Sequence, residues 1–222
     1  MDIFLYVFFG FFDVIAILAL IFKIYRFPFF EYTKKLVIIG LTLSIVSYFN
    51  RCVIDIANYD MIVQFILYIL FFRYLIKVRL YRAFSLATTG YLAFDGIQFT
   101  VYPLLMSSGI VTTNDAQELT GLGTYMIQSS TEIMCFLVAY LLYKFNLGFS
   151  FISVPPHDMY IKSKNNQTEK IIFISNIVAA TVISSIMYWI LNFHAHVYIV
   201  LPAVAVSLFL LIYFTNRRDF EQ

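Results

Sequence analysis

Long apolar runs, each about as long as a bilayer is thick, recur along the whole chain. A helix needs about 20 mostly apolar residues to cross a hydrocarbon core roughly 30 Å thick. Only 13% of the residues are charged and 61% are hydrophobic, against about 25% and about 45–50% in soluble domains. In lipid, a helix satisfies its backbone polar groups within the segment. The sequence therefore predicts an all-α, polytopic membrane protein.

Seven such runs divide the chain, and we expect them to form a single transmembrane domain over residues 1–222. The predicted spans cover residues 3–22, 36–57, 61–76, 83–106, 125–143, 171–191 and 197–214. The first run follows neither a basic region nor a cleavage site, so we interpret it as a retained span and not as a signal peptide. The longest polar stretch, residues 157–170, is too short to form a separate core.

The basic residues predict how these spans are oriented. Cytoplasmic connections carry an excess of Lys and Arg, and here alternate connections carry all 15 of them except Arg51 and Arg73. The residues on the basic side are Lys23, Arg26, Lys34, Lys35, Lys77, Arg79, Arg82, Lys144, Lys162, Lys164, Lys170, Arg217 and Arg218. We therefore expect a seven-transmembrane-helix bundle in the plasma membrane, with its N-terminus outside and its C-terminus inside.

Arg51 needs a partner, because it lies within the second apolar run. A charge at the centre of a membrane helix costs roughly 2.5–3.5 kcal/mol on insertion scales, and less near an interface. Asp55 is four residues further along, so a continuous helix would place both side chains on one face. On one interpretation, Arg51 is neutralised by Asp55 and by one of Asp95 and Glu132, in a structural network that fixes helix register.

Several other polar side chains lie in spans that are otherwise nearly free of charge. With the N-terminus outside, they fall in the middle or outer part of the bundle, where such groups face the interior and not lipid. The candidate ligand-binding residues are Arg51, Asp55, Asp95, Gln98, Gln128, Glu132 and Asp13. The set is compatible with a structural network that fixes helix register, with a ligand pocket open to the outside, or with a proton or ion pathway.

No catalytic motif is found in the sequence. It contains no H-E-x-x-H, no G-x-S-x-G and no Gly-rich phosphate loop. Cys52 and Cys135 lie on different predicted spans, without a C-x-x-C pair or His partners at metal spacing. We expect no enzymatic activity, no metal site, no cofactor and no nucleic-acid partner.

Four segments carry a resemblance to a known family. These are residues 26–28 (RFP), 45–51 (IVSYFNR), 89–91 (TGY) and 142–151 (LYKFNLGFSF). With the overall layout, they resemble the membrane sensor regions of bacterial histidine kinases of the peptide-pheromone (Agr-like) class, over nearly the whole chain. The resemblance implies a receptor whose outer face and bundle interior recognise an extracellular signal, often a small peptide.

The chain differs from that family after its last predicted span. The sequence stops at residues 219–222, just past that span, without a phospho-acceptor His segment or an ATP-binding domain. We therefore expect no kinase activity, and an output that passes through a protein partner on the cytoplasmic side or in the membrane. No ligand contact of the family is transferred to particular residues of this chain.

The function expected from these observations is a receptor-like signalling component. It would sense an extracellular small ligand or peptide through a polar pocket in the outer half of the bundle. A small transporter, proton-coupled or sugar-like, is one alternative, although Pro103 and Pro202 do not occupy matching places in two repeats. A structural subunit of a membrane complex is the other. The basic inner surface would suit anionic lipid head groups or an acidic protein.

Overall fold

The computed structural model describes residues 3–115 and 118–150, with a few isolated positions after residue 151. Residues 3–150 contain five helices, and no strand occurs in the part of the chain that is described. The helices are α1 (Ile3–Ile24), α2 (Thr33–Tyr48), α3 (Ala57–Phe71), α4 (Leu80–Ser107) and α5 (Leu122–Lys144). The all-α prediction is confirmed for these residues. Most of the predicted spans at 171–191 and 197–214 lies outside them.

Among the residues that the structure describes, four helical segments are long and apolar enough to cross a membrane. They are Ile3–Ile24, Phe29–Val53, Tyr59–Ile76 and Leu122–Lys144, which correspond to the first, second, third and fifth predicted spans. The fourth predicted span is α4, which contains more polar side chains. Fifteen of its 28 residues are buried, so α4 is surrounded by protein over much of its length and needs less apolar surface.

α1 is the centre of the bundle and contacts α2, α4 and α5. Glycines on its neighbours allow this close approach. A Cβ at Gly40 of α2 would lie 2.8 Å from Phe11 Cε2, and a Cβ at Gly90 of α4 would overlap Ile21. Tyr25, near the end of α1, donates a 2.9 Å hydrogen bond to Thr89 Oγ1 of α4, since the Thr89 proton is itself donated to the Ser85 carbonyl. These contacts hold α1 between α2 and α4.

Three helices end in the same way, with a left-handed residue just past the last turn. These residues are Arg26 (φ 53°), Gly109 (φ 72°) and Asn146 (φ 53°). The hydrogen bonds that close these ends run from Phe27 N–H to the Phe22 carbonyl, from Ile110 N–H to the Leu105 carbonyl and from Leu147 N–H to the Leu142 carbonyl. The pattern is the Schellman motif, which satisfies carbonyls that the helix itself leaves free.

α2 and α3 end differently, each in one widened π-helical turn. These turns are Phe49–Val53 and Phe72–Ile76, and each is followed by a residue with positive φ, Asp55 (59°) or Lys77 (68°). The chain reverses direction after Val53, so the second helix ends four residues before the end of the predicted second span at residue 57. Single π-turns of this kind often occur near functional sites.

α1 and α5 run parallel, with their C-terminal ends side by side. The Arg26 guanidinium donates to the Asn146 carbonyl at 2.8 Å, and the Phe149 N–H donates to the Ile24 carbonyl at 2.7 Å. Gly148 (φ 130°) permits this contact, because a Cβ there would lie 2.6 Å from the Ile24 oxygen. The register of α1 on α5 is thereby set from one end of the bundle.

Candidate functional site

Two separate groups of polar side chains lie in the half of the bundle away from the C-terminal ends of α1 and α5. We call the first the Arg51 network; it consists of Tyr6, Ser47, Asn50, Arg51 and Asp60. We call the second the carboxylate cluster; it consists of Asp13, Gln128 and Glu132. The two groups differ in how completely their hydrogen bonds are formed, and that difference distinguishes their roles.

Asp60 is the centre of the Arg51 network. Its Oδ2 atom accepts hydrogen bonds from Arg51 Nε at 2.6 Å and from the Ser47 hydroxyl at 2.7 Å, and its Oδ1 atom accepts one from Asn50 Nδ2 at 2.9 Å. Asp60 lies in the first turn of α3, where the helix dipole favours a carboxylate. Its side chain is 1% exposed. Donors from the end of α2 therefore satisfy this buried acid.

Tyr6 connects α1 to the same network. Its hydroxyl lies 3.3 Å from Ser47 Oγ. Since the single Ser47 proton is donated to Asp60, Tyr6 is the donor to Ser47. The Tyr6 ring also packs edge-on against Tyr48, with centroids 5.7 Å apart. The network thus joins α1, α2 and α3.

Asp55 is not part of the Arg51 network, contrary to the expected Arg51–Asp55 pair. It is exposed and lies beyond the helix end, with φ 59°. Two residues share a helix face at a spacing of four only where the helix is continuous, and this helix ends at Val53. The expected neutralisation of Arg51 by Asp55 was therefore wrong, and Asp60 takes that place.

The carboxylate cluster lies between α1 and α5. Gln128 Nε2 donates to Asp13 Oδ2 at 3.3 Å. Glu132 is one turn further along the same face of α5 and is close enough to Asp13 for the two charges to interact. The helix pairing therefore brings Asp13 next to two other predicted site residues, Gln128 and Glu132, that are 115 or more positions away in sequence.

Each member of the cluster has one buried acceptor atom without a donor among the described residues. These atoms are Asp13 Oδ1, Gln128 Oε1 and Glu132 Oε1. The Glu132 side chain is almost fully buried, at 7% exposure. A buried polar atom without a partner costs roughly 1–3 kcal/mol, and such atoms in a native structure often mark the position of a bound water or ion. The cluster therefore contains buried acceptor atoms that a hydrogen-bond donor or a cation would satisfy.

Aromatic and apolar residues border the carboxylate cluster on both sides along the helices. Phe9 and Tyr125 stack one turn away from Asp13 and Gln128, with ring centroids 4.6 Å apart and an interplanar angle of 17°. On the other side, Cys135 is fully buried one turn beyond Glu132. The polar region between α1 and α5 is therefore short, about two helical turns.

Asp95 and Gln98 lie on α4, near the cluster but without a direct hydrogen bond to it in the described structure. Asp95 is 4% exposed and lies near the buried Cys135 of α5. Gln98 is partly buried one turn further along. Asp95 is therefore a third acid in the interior of the bundle, beside Asp13 and Glu132, and no basic side chain is paired with it in the described structure.

Sequence reasoning missed four members of the Arg51 network: Tyr6, Ser47, Asn50 and Asp60. Asp60 falls between the predicted spans at 36–57 and 61–76, although an acid at the start of an apolar run is a recognised helix N-terminal signal. The sequence therefore contains a signal that would have placed Asp60 at the start of the third helix. Among the described residues, no three His, Cys, Asp or Glu side chains are grouped to hold a metal ion.

None of the protein-family models, curated proteins or solved structures compared with the chain matches it. The resemblance to Agr-like sensor regions therefore stays a prediction. The coarser conclusion is that the described part of the chain is all-helical and contains several helices able to span a membrane.

Proposed function

We propose that the chain is a receptor-like signalling component of the bacterial plasma membrane. It would bind an extracellular small ligand or peptide through polar groups in the outer half of the bundle and act through a protein partner. The observation that carries this proposal is the set of three buried acceptors without donors in the carboxylate cluster. A ligand that supplies donors or positive charge would remove the cost of leaving them unpaired.

The proposal includes seven spans, an extracellular N-terminus and a cytoplasmic C-terminus. Its support is the asymmetry of Lys and Arg between alternate connections. The topology is tested with single cysteines added to a chain whose Cys52 and Cys135 are replaced by Ser. A membrane-impermeant maleimide applied to intact cells should label Asn114→Cys and spare Lys34→Cys. Labelling in the opposite order would overturn this orientation.

Ligand recognition is tested by thermal unfolding of the purified protein with fractions of the producing bacterium's spent medium. An active fraction should raise the unfolding temperature of the wild type and of Glu31→Gln, an exposed residue away from the cluster. The same fraction should have little effect on Glu132→Gln. If no fraction stabilises the wild type, or if Glu132→Gln responds equally, the receptor proposal fails.

A cation-coupled transporter is the second candidate, favoured by the buried acids of α1, α4 and α5. Ionisable groups inside membrane spans are typical of proton and ion routes. Flux into proteoliposomes that is lost in Asp95→Asn would favour a transporter over a receptor. A structural subunit, the other alternative, is favoured by the satisfied Arg51 network and would co-purify with partners in fixed stoichiometry.

A further inference from the structure

We propose that the carboxylate cluster binds a small cation, either a metal ion such as Na⁺ or a primary ammonium group. The inference rests on the proposed function in that it names the ligand chemistry of the same site. The two cations share one chemistry, because each is a compact positive charge that oxygen acceptors can surround.

The unpaired atoms of the cluster are all acceptors. Asp13 Oδ1, Gln128 Oε1 and Glu132 Oε1 are buried without a donor in the described part of the chain. Carboxylate and amide oxygens are the preferred ligands of hard metal ions. An ammonium group instead offers three N–H donors and no acceptor, which equals the number of unpaired oxygens. A neutral acceptor ligand would leave all three atoms unsatisfied.

The charge of the cluster points to the same class of ligand. Asp13 and Glu132 are two acids at interacting distance. Arg51 is the base whose charge reaches Asp13, but its Nε is already bound to Asp60. Two ionised carboxylates brought together out of water repel each other, so a bound cation would stabilise the ionised pair, which Arg51 does not do.

The surroundings of the cluster favour a small ligand. The Phe9–Tyr125 stack lies one turn to one side, and the fully buried Cys135 lies one turn to the other. Because these residues limit the polar region along the helices, it suits a single ion or an ammonium head group better than a folded peptide segment. A larger ligand would place only its cationic end here.

The test is thermal unfolding of the purified full chain in detergent at constant ionic strength, with tetramethylammonium as the reference cation because it has no N–H donor. Separate arms replace it with Na⁺, Ca²⁺ or methylammonium. At least one arm should raise the unfolding temperature in a saturable way, and its identity would distinguish the metal from the ammonium source. Equal unfolding temperatures in every arm would overturn the inference.

The variants locate the effect. Glu132→Gln and Asp13→Asn should each weaken the apparent affinity about tenfold or more, which corresponds to about 1.4 kcal/mol, whereas Glu31→Gln should retain it. If both cluster variants respond like the wild type, cation binding at this site is excluded. A wild-type protein that responds to a spent-medium fraction but to no cation would overturn this inference alone. A wild-type protein that responds to a cation but to no spent-medium fraction would overturn the receptor proposal alone. Size-exclusion profiles check that each variant is folded, and either variant suffices if the other is not.

Discussion

Arg51 Nε lies 2.6 Å from Oδ2 of Asp60, across the connection between α2 and α3. The Asp60 side chain is 1% exposed and the Arg51 side chain is 40% exposed, so the acid is buried while part of the base remains accessible. Asn50 also donates to Asp60. This pairing explains why a charged residue is tolerated near the end of an apolar helix, and it fixes α2 against α3.

Asp60→Asn should lower the free energy of unfolding by about 1–3 kcal/mol. Removing one partner of a buried pair is costly, but the exposure of Arg51 reduces the cost. A double-mutant cycle with Arg51→Gln should give a coupling energy of about 1 kcal/mol or more. Asp55→Asn, at an exposed position, should change stability by no more than about 0.5 kcal/mol. Zero coupling, or an equal effect of Asp55→Asn, would contradict the assigned pair.

Gly148→Ala should destabilise the protein more than Gly109→Ala. Both glycines have positive φ, but an added Cβ meets backbone oxygens at Gly148 and open space at Gly109. We expect a cost of about 1 kcal/mol at Gly109 from backbone strain alone and of about 2 kcal/mol or more at Gly148. Chemical unfolding in detergent measures both. Similar costs would mean that the contact between residue 148 and the end of α1 contributes little.

Asp115, in the connection between α4 and α5, should titrate below the usual range of an aspartate. The backbone N–H of Thr112 and then its hydroxyl donate to Asp115 Oδ2, at 2.7 and 2.8 Å, and these bonds lower the pKa of the carboxyl. A lowered pKa means that the stabilisation of this turn is complete above about pH 3.9, the unfolded value, and is lost as the pH falls through the folded pKa.

The measurement for Asp115 is a carboxyl titration by NMR. The wild-type midpoint should lie below about 3.9. Thr112→Val should raise it only in part, because the backbone donor, the larger cause, is retained. A midpoint unaffected by Thr112→Val would show that the hydroxyl bond is absent in solution.

Glu132→Gln should raise the free energy of unfolding by about 1 kcal/mol when tetramethylammonium is the only cation present. The new amide supplies donors to acceptors of Asp13 and Gln128 that otherwise lack them, and each unpaired acceptor costs roughly 1–3 kcal/mol. Glu31→Gln should have no such effect. A loss of stability in Glu132→Gln would instead indicate that the Glu132 carboxylate already has a donor within the protein.

Much of the helical architecture follows from the sequence, because a segment that faces lipid must be apolar over its whole length. The end of the second helix does not follow. Residues 54–57 are mixed in polarity, and neither the widened turn at Phe49–Val53 nor the left-handed Asp55 leaves a distinct mark in a hydropathy pattern. The pairing of Arg51 with Asp55 was inferred from an uninterrupted helix and failed for that reason.

The sequence identified each member of the carboxylate cluster as a polar residue in an apolar span, but it did not show that the three would lie together. Asp13, Gln128 and Glu132 could be recognised as polar residues inside apolar spans. Their meeting depends on α1 packing in parallel on α5, which is decided by distant contacts such as Arg26 to Asn146 and Phe149 to Ile24. The amino-acid pattern within a span does not indicate which other spans it packs against.

The most direct test of the account is a high-resolution structure of the purified protein in a lipid nanodisc with the stabilising cation present. We expect density at the carboxylate cluster, about 2.3–2.6 Å from its oxygens for a metal ion such as Ca²⁺ or about 2.7–3.2 Å for an ammonium nitrogen. That density should be absent in Glu132→Gln. If protein N–H or O–H groups donate to Asp13 Oδ1, Gln128 Oε1 and Glu132 Oε1, and no density lies among them, the cluster is structural and the ligand site is elsewhere.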